Sequence, residues 1–403
     1  MSEWKKVKLG ELYEVHNGLS KGRQFFGTGF PFLTFSNVFN NWFLPEQLES
    51  LVQTTDKERE ACSIKAGDVF ITRTSETMDE LGMSSVALKD YPNATYNGFT
   101  KRLRPKTDRV FPRYMGYYLR TPKFRGQFMA FSSMTTRASL ANNDLLNMEI
   151  ELPPMDIQKN IATILSRYDS LIENYQKQIK LLEEAAQRLY KEWFIDLHFP
   201  EHENTNIIDG VPEGWEKKKV NSIIELQSGF AFKSSTFDDN GAYKIVTIKN
   251  VKDGAFDGDN VSRIVAIPEK MPKHCVLADG DILLSLTGNV GRVCIVNGKN
   301  YLLNQRVAKL ATDYKAFAYC LFRSRDMFIE VNNLANGAAQ QNVSPIRIGG
   351  IKMLLPNMDM LQKFESTASK LITRIIYLQS QLRLLTEARD RLLPKLMSGE
   401  IEI

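Results

Sequence analysis

LPPMDIQ, residues 152–158, recurs near the other end of the chain as LPNMDMLQ, residues 355–362. Pro153 and Pro356, Met155 and Met358, and Asp156 and Asp359 are each 203 residues apart in a chain of 403. The physical reading of each copy is the same. Proline ends an extended segment, and the aspartate just after it falls in the first turn of a helix, where the positive dipole end favours a carboxylate. Working outward, more of the two halves aligns. Trp4 and Gly18 of EWKKVKLGELYEVHNG match Trp215 and Gly229 of GWEKKKVNSIIELQSG, 211 residues on. Gly67-Asp68 matches Gly280-Asp281 at 213, and NGFTKRL (97–103) matches NQRVAKL (304–310) at 207. The chain reads as a tandem duplication with small insertions and deletions in loops. Each copy is a variable module followed by a helix.

The helices are long. No Gly or Pro interrupts Met155 to Phe199, and apolar residues recur every three or four positions from 157 to 193 with one stutter at Tyr175–Ile179. The second copy is free of Gly and Pro from Asn357 to Leu393; Arg389 interrupts its seam, and the step to Leu396 crosses Pro394, so the pattern is expected to outlast the helix. About 40 residues at about 1.5 Å each span roughly 60 Å. A narrow seam of this period wants a partner helix, and the simplest partner is the other copy, antiparallel, with a module at each end of a rod. Ile161, Leu182, Leu371 and Leu385 are then core. The competing arrangement packs each seam on its own module.

The modules read as mixed α/β. Short apolar runs such as DVFITRT, DILLSLT and YKIVTIKNV, bounded by Gly, Asp and Asn, predict strands, and Arg113–Phe131 and Ala316–Asn332 have helical spacing. Hydrophobic content of 43% and charged content of 25% are ordinary for a globular chain, and no apolar run reaches the roughly 18 to 20 residues of a membrane span. The polar N-terminus is unlike a secretory signal. Four cysteines without CxxC spacing fit buried thiols in a reducing cytoplasm.

Net charge is +5, unevenly spread. Residues 1–150 hold 20 basic against 16 acidic side chains and residues 211–355 hold 19 against 14, while residues 151–210 between them hold 6 against 11. KRLRPKTDRVFPRYMGYYLRTPKFR (101–125) has nine basic residues and one acid, interleaved with aromatics, a composition that suggests phosphate contacts or else a solvated surface. Two basic heads on a spacer suit a split DNA target, with half-sites about a helical turn of roughly 34–36 Å apart. Because the heads differ in sequence, the half-sites should differ.

At this point the chain resembles the specificity subunits of type I restriction–modification enzymes. The residues that carry the resemblance are LYKEWFIDLHFP (189–200), VPEGWE (211–216), LPPMDIQKNIATIL (152–165) and RDRLLPKLMSGEIEI (389–403), with SGFAFKSSTF (228–237), GDILLSLTGNVGRV (280–293) and TSETMDELGMS (74–84) inside the heads. It implies an α+β chain: a target-recognition domain at 1–152, a spacer helix at 153–199, a second recognition domain at 200–355, and a second spacer helix with a C-terminal tail at 356–403. It also implies that each head reads half of a bipartite, asymmetric site in double-stranded DNA. Two modification subunits that bind S-adenosylmethionine would dock on the helices. Restriction subunits would add ATP- and Mg2+-dependent translocation and cleavage. No cofactor is expected on this chain, which would be a full-length, cytoplasmic, non-catalytic subunit.

The residues alone argue the same way about catalysis. Amino-methylases carry Asn or Asp before Pro-Pro and an aromatic after it, to hold and stack a flipped adenine; LPPM offers Leu152 and Met155. No glycine-rich S-adenosylmethionine loop is evident. His198 and His202 are separated by Pro200, which spoils a shared helical face for a metal. TGNVGR (287–292) lacks GxxxxGK[ST] and reads either as a phosphate-facing turn or as a hairpin. The alternatives are a fused single-chain methyltransferase or restriction enzyme, for which catalytic motifs are missing, and a non-catalytic scaffold, which the basic heads disfavour.

Base edges are read by Arg, Lys, Asn, Gln, Ser and Thr. Those next to predicted strand ends are, in the first head, Lys21, Arg23, Asn37, Arg73, Thr74, Ser75, Lys101, Arg102, Thr135, Thr136 and Arg137. In the second they are Lys233, Lys249, Asn250, Thr287, Asn289, Arg292, Asn304, Gln305, Arg306, Gln340, Gln341 and Asn342. Each could equally be a solvated or fold-supporting residue. Tyr190, Trp193 and Phe194 read either as a docking surface for the modification subunits or as packing against a head.

Overall fold

Gly67 and Gly280 both take positive φ, 89° and 84°, a conformation that glycine adopts without strain. In each case the following aspartate closes the turn, Asp68 accepting from the Lys65 amide at 2.7 Å and Asp281 from the Ala278 amide at 2.8 Å. The Gly-Asp pair matched in sequence is therefore one turn used twice, each time delivering the chain into a fully buried strand, Val69–Thr72 or Ile282–Ser285.

The computed structural model describes residues 4–75, 81–131, 133–134, 138–139, 141–335 and 341–403, with backbone alone at 74, 75, 129–131, 133, 134, 138 and 139. It forms two units: Met1–Leu171 with Leu385–Ile403, and Ile172–Leu384.

Both units repeat one topology. The first unit holds a four-stranded sheet in the order Tyr13–Asn17, Thr100–Pro105, Val69–Thr72, Ser84–Val86. The second has Glu225–Ser228, Val307–Ala311, Ile282–Ser285, Val293–Ile295 in the same order. A second sheet in each unit contains one parallel pair, Phe26–Leu33 with Thr95–Tyr96 and Tyr243–Val246 with Tyr301–Leu303. In each unit the first and last strands of the head pair antiparallel, Lys5–Lys8 with Glu149–Leu152 and Glu216–Lys219 with Lys352–Leu355. That pairing closes the head at the point where the repeated Pro-punctuated stretch begins. The expected helices at 113–131 and 316–332 are each two, Pro112–Tyr118 with Pro122–Phe131 and Lys315–Arg323 with Arg325–Asn333. Pro122 and the N-capping Ser324 set the breaks.

The two long helices run Met155–Phe194 and Met358–Met397, and each contributes to both units. In the first unit Ile161, Ala162 and Leu165 share a core with Leu393, Leu396 and Met397, so the start of one helix meets the end of the other. In the second unit Ala186, Tyr190 and Phe194 share a core with Phe364, Ala368 and Ile372, the end of the first helix against the start of the second. Within each unit the helix pair is thus antiparallel, and each pair also packs on its own head. Of the seam residues, Ile161 is buried, whereas Leu182, Leu371 and Leu385 are half-buried. The second helix continues through Pro394, contrary to expectation. Pro394 lacks only the N–H that would reach back to Asp390, one bond lost in the last turns, and Gly399 at φ 73° ends the run. The seam break at Arg389 is an ion pair, to Asp169 at 2.9 Å, with Asp169 also accepting from Tyr117.

The opening stretch fastens its helix to the first head. Gln158 is buried; its Oε1 accepts from the Phe111 amide at 2.8 Å and its Nε2 donates to the Arg109 and Pro153 carbonyls, both at 2.9 Å. In the second copy other groups do this: Asn357 caps the Met360 amide at 2.8 Å, and Glu365 accepts from the Ala316 and Phe317 amides at 2.9 and 3.0 Å. Among the described residues no helix is long and apolar enough to cross a membrane.

Candidate nucleic-acid interface

In the second unit the loops at one end of the sheets are bonded together. Leu286 N–H donates to the Arg306 carbonyl at 3.0 Å, Gly288 N–H to the Gln341 carbonyl at 2.9 Å, and Val343 N–H to the Leu286 carbonyl at 3.0 Å. Thr287 Oγ1 donates to Asn342 Oδ1 at 2.9 Å. Asn304 N–H reaches the Val246 carbonyl at 3.1 Å and Gln305 N–H the Phe230 carbonyl at 3.0 Å. The structure therefore brings Thr287, Asn289, Asn304, Gln305, Arg306, Gln341 and Asn342 to one edge. Of these Asn289, Gln305, Arg306, Gln341 and Asn342 are exposed, and Lys249 is exposed beside them, next to Ile248, which lies against Gly288. Arg306 holds the loop with its carbonyl, so its guanidinium is not what shapes the turn. Gln340 lies outside the described residues.

The turn at 304–306 has two locks. Asn304 Oδ1 accepts from the Arg306 amide at 3.3 Å. A Cβ on Gly229 would stand 2.2 Å from the Asn304 carbonyl oxygen, so only glycine fits opposite. The first unit has both locks again. Asn97 Oδ1 accepts from the Phe99 amide at 2.6 Å, and a Cβ on Gly18 would stand 2.2 Å from the Asn97 oxygen. Arg73 N–H donates to the Phe99 carbonyl at 3.0 Å as Leu286 does to Arg306. Asn97 and Phe99 are not among the candidates that the sequence offers, although the alignment of NGFTKRL with NQRVAKL pairs them with Asn304 and Arg306. Phe99 lies outside the polar residue types expected at base edges, and Asn97 acts here as a lock of the turn.

Other expected readers serve the fold. Asn250 is buried, its Oδ1 accepting from Thr247 N–H and Oγ1 and its Nδ2 donating to the Asp257 and Asn260 carbonyls at 2.8 and 3.0 Å. Nothing of it is left for a base. Asn37 holds the equivalent cap with Thr34, at 3.1 Å to N and 2.7 Å to Oγ1. Arg102 is 2% exposed and donates to the Ser63 and Ala61 carbonyls, and Lys101 is 4% exposed and donates to Asn142. Burial and the nearby Arg73 push the Lys101 amine below its usual range. Lys21 is turned to Glu58 at 2.8 Å and over the Phe25 ring. Arg23 and Lys233 are exposed, and Arg73 and Arg292 are half-buried, Arg292 near the Asp253 carboxyl. The backbones of Thr74 and Ser75 bridge to Ser139 and Ala138. Thr135, Thr136 and Arg137 lie outside the described residues.

Several residues of the basic run 101–125 are spent on bonds within the head, while Lys106, Arg109 and Lys123 are exposed. Arg104 makes a bidentate pair with fully buried Asp68 at 2.6 and 2.8 Å. Arg120 donates to the Ser84, Val38, Phe39 and Asn41 carbonyls, and burial with Arg125 close by lowers its pKa to about 10. Lys123 pairs with Glu151 at 2.6 Å. TGNVGR is the hairpin between Ile282–Ser285 and Val293–Ile295. Its Gly288 and Gly291 amides are bonded inward to the Gln341 and Ser285 carbonyls, which removes them from a phosphate nest.

Tyr190 and Phe194 are not a free docking surface. They are 5% and 6% exposed, packed with Phe317, Phe364 and Trp215 in the second unit, and Trp193 is half-buried against Phe364 at 5.6 Å. Clustered aromatics gain more by mutual packing in a core than by exposure. His202 Nδ1 sits 2.9 Å from the Phe199 carbonyl, with the His198 ring 5.3 Å away.

A family model described as type I restriction modification DNA specificity domain matches residues 1–184 and 212–382. The chain is 27% identical to the type I restriction enzyme MjaIX specificity subunit of Methanocaldococcus jannaschii, over 100% of this chain and 94% of that one. It is 31% identical to the MjaVIII specificity subunit of the same organism, over 64% of this chain and 63% of that one. In fold it is similar to the crystal structure of a type I restriction–modification S subunit from M. genitalium, with a TM-score of 0.60 at 15% identity, covering 98% of this chain and 96% of that one.

Proposed function

The chain belongs to the type I restriction modification DNA specificity family, and from that premise we propose that each head reads one half of a bipartite, asymmetric DNA site through its locked loop edge. One observation carries this reading. The same turn, held by the same asparagine and the same glycine contact, recurs in both units but presents Arg306 in one and Phe99 in the other. A shared scaffold with different tips is what two different half-sites require. Arg306, Gln305, Asn289, Gln341 and Asn342 are of the types that bond base edges, and a guanidinium at the tip suits guanine O6 and N7. Exposed lysines such as Lys249 and Lys233 suit phosphates, which position without specifying.

Residues 1–152 and 200–355 act as the recognition domains in this proposal, and 153–199 and 356–403 as the helices that set the spacer and hold two modification subunits. The chemistry lies on the partners: S-adenosylmethionine on the modification subunits, ATP and Mg2+ on the restriction subunits. This chain acts in the cytoplasm as a non-catalytic reader of double-stranded DNA. Its burial of Cys62, Cys275, Cys294 and Cys320, which pushes their thiols up, supports a structural use of cysteine.

The test is methylome sequencing of cells that express the chain with modification subunits. The expected result is adenine methylation at one asymmetric motif split by a fixed spacer of unspecified sequence. A continuous motif, or methylation by the chain alone with S-adenosylmethionine, overturns the proposal.

A further inference from the structure

Phe99 stands where Arg306 stands, and it is 52% exposed. Its amide is held by Asn97 Oδ1 at 2.6 Å and its carbonyl by the Arg73 N–H at 3.0 Å. Gly98 beside it donates to the Leu19 carbonyl at 2.9 Å, so the turn is anchored on both sides. An exposed aromatic at the tip of an anchored turn costs solubility and is not needed to hold the turn, since a polar side chain would leave these backbone bonds unchanged. The second unit demonstrates this, carrying the same bonds with arginine at the tip.

We propose that Phe99 is a specificity-determining residue that reads an apolar feature of the first head's half-site, the C5-methyl group of a thymine in the major groove. The inference rests on the proposed function. In the major groove an aromatic or small apolar side chain recognises thymine by its methyl group, the one apolar landmark among the base edges. The alternative apolar use, a wedge driven between base pairs, needs the whole ring to enter the stack. Phe99 keeps about half of its surface against the head, which leaves an edge to lie on a methyl but not a ring to insert. Position 99/306 is then one structural address with two readout chemistries, apolar in the first head and guanidinium in the second.

The experiment uses the assembled complex of this chain with its modification subunits and duplexes carrying the methylated motif. Each thymine of each half-site is replaced in turn by uracil, which lacks only the methyl. The wild-type complex should lose roughly threefold to tenfold in methylation rate at one position of one half-site, the size expected for one lost methyl contact. Phe99→Ala should show that loss on normal DNA and no further loss with uracil, Phe99→Leu should keep the discrimination, and Arg306→Ala should remain uracil-sensitive. A wild-type complex indifferent to uracil everywhere, a Phe99→Ala complex that still discriminates, or a Phe99→Ala loss that uracil does not reproduce overturns the assignment. In each of those outcomes a split motif still methylated by the wild-type complex leaves the proposed function standing; absence of any split motif removes both.

Discussion

Thr247 and Asn250 cap one another across a single turn: the Thr247 amide and hydroxyl both donate to Asn250 Oδ1, at 2.8 and 3.0 Å. The other end of the same amide group is spent on the Asp257 and Asn260 carbonyls. Asn250→Ala leaves these buried groups unpaired and should cost about 1–3 kcal/mol. Denaturant unfolding would measure this, and the folded fraction should keep the wild-type sequence preference at both half-sites.

Arg306→Ala should act in the opposite manner. The loop is held by the Arg306 backbone, so unfolding should be unchanged within error. Discrimination at one half-site should fall by about 1–3 kcal/mol, as for loss of a bidentate base contact. Methylation rates on duplexes varied one base pair at a time would show it, and equal losses at both half-sites would contradict a local role.

Phe194→Ala should destabilise by about 3–5 kcal/mol, the cost of a large cavity. Phe194 packs on Phe364 at 4.8 Å and Phe317 at 5.2 Å. The loss should appear in thermal unfolding of the chain alone. A variant of normal stability that fails only to bind modification subunits would restore the docking role.

Glu365 ties the second long helix to the start of helix Lys315–Arg323. Burial pushes its carboxyl above the usual range, while the Ala316 and Phe317 amides pull the other way. A raised folded pKa means that the folded state holds the proton more tightly than the unfolded one. The contribution is therefore fully present below the unfolded carboxylate pKa and is lost as pH rises through the raised value. Glu365→Gln should flatten that part of the stability–pH curve, measured by denaturant midpoints across the acidic range.

If the long helices set the spacer, inserting about four residues into each adds roughly 6 Å at about 1.5 Å per residue, or about two base pairs at about 3.4 Å each. Methylome sequencing should then return the same half-sites with a longer gap. An unchanged gap would separate helix length from spacer length.

Much of this organisation is legible from local chemistry. Helical periodicity, Pro153 and Pro356, and the Gly-Asp turns each act within a few residues of themselves, so order in the chain reports order in the fold. The duplication, the mixed α/β heads and the long helices follow from them. The correspondence of Phe99 with Arg306 is legible as well, because NGFTKRL aligns with NQRVAKL.

What only the tertiary structure decided is which polar side chains remain free. Arg102, Arg104 and Arg120 look like DNA-binding residues in a basic run, yet Ser63, Asp68 and Ser84 claim them from 36 to 39 residues away in the chain. Tyr190 and Phe194 look like a sticky surface, yet Phe317 and Phe364 cover them. Sequence by itself determines the residue types and the period at which they recur. Whether a charge or a ring faces solvent depends on partners distant in the chain, because a buried polar group must find its bonds wherever the fold brings them.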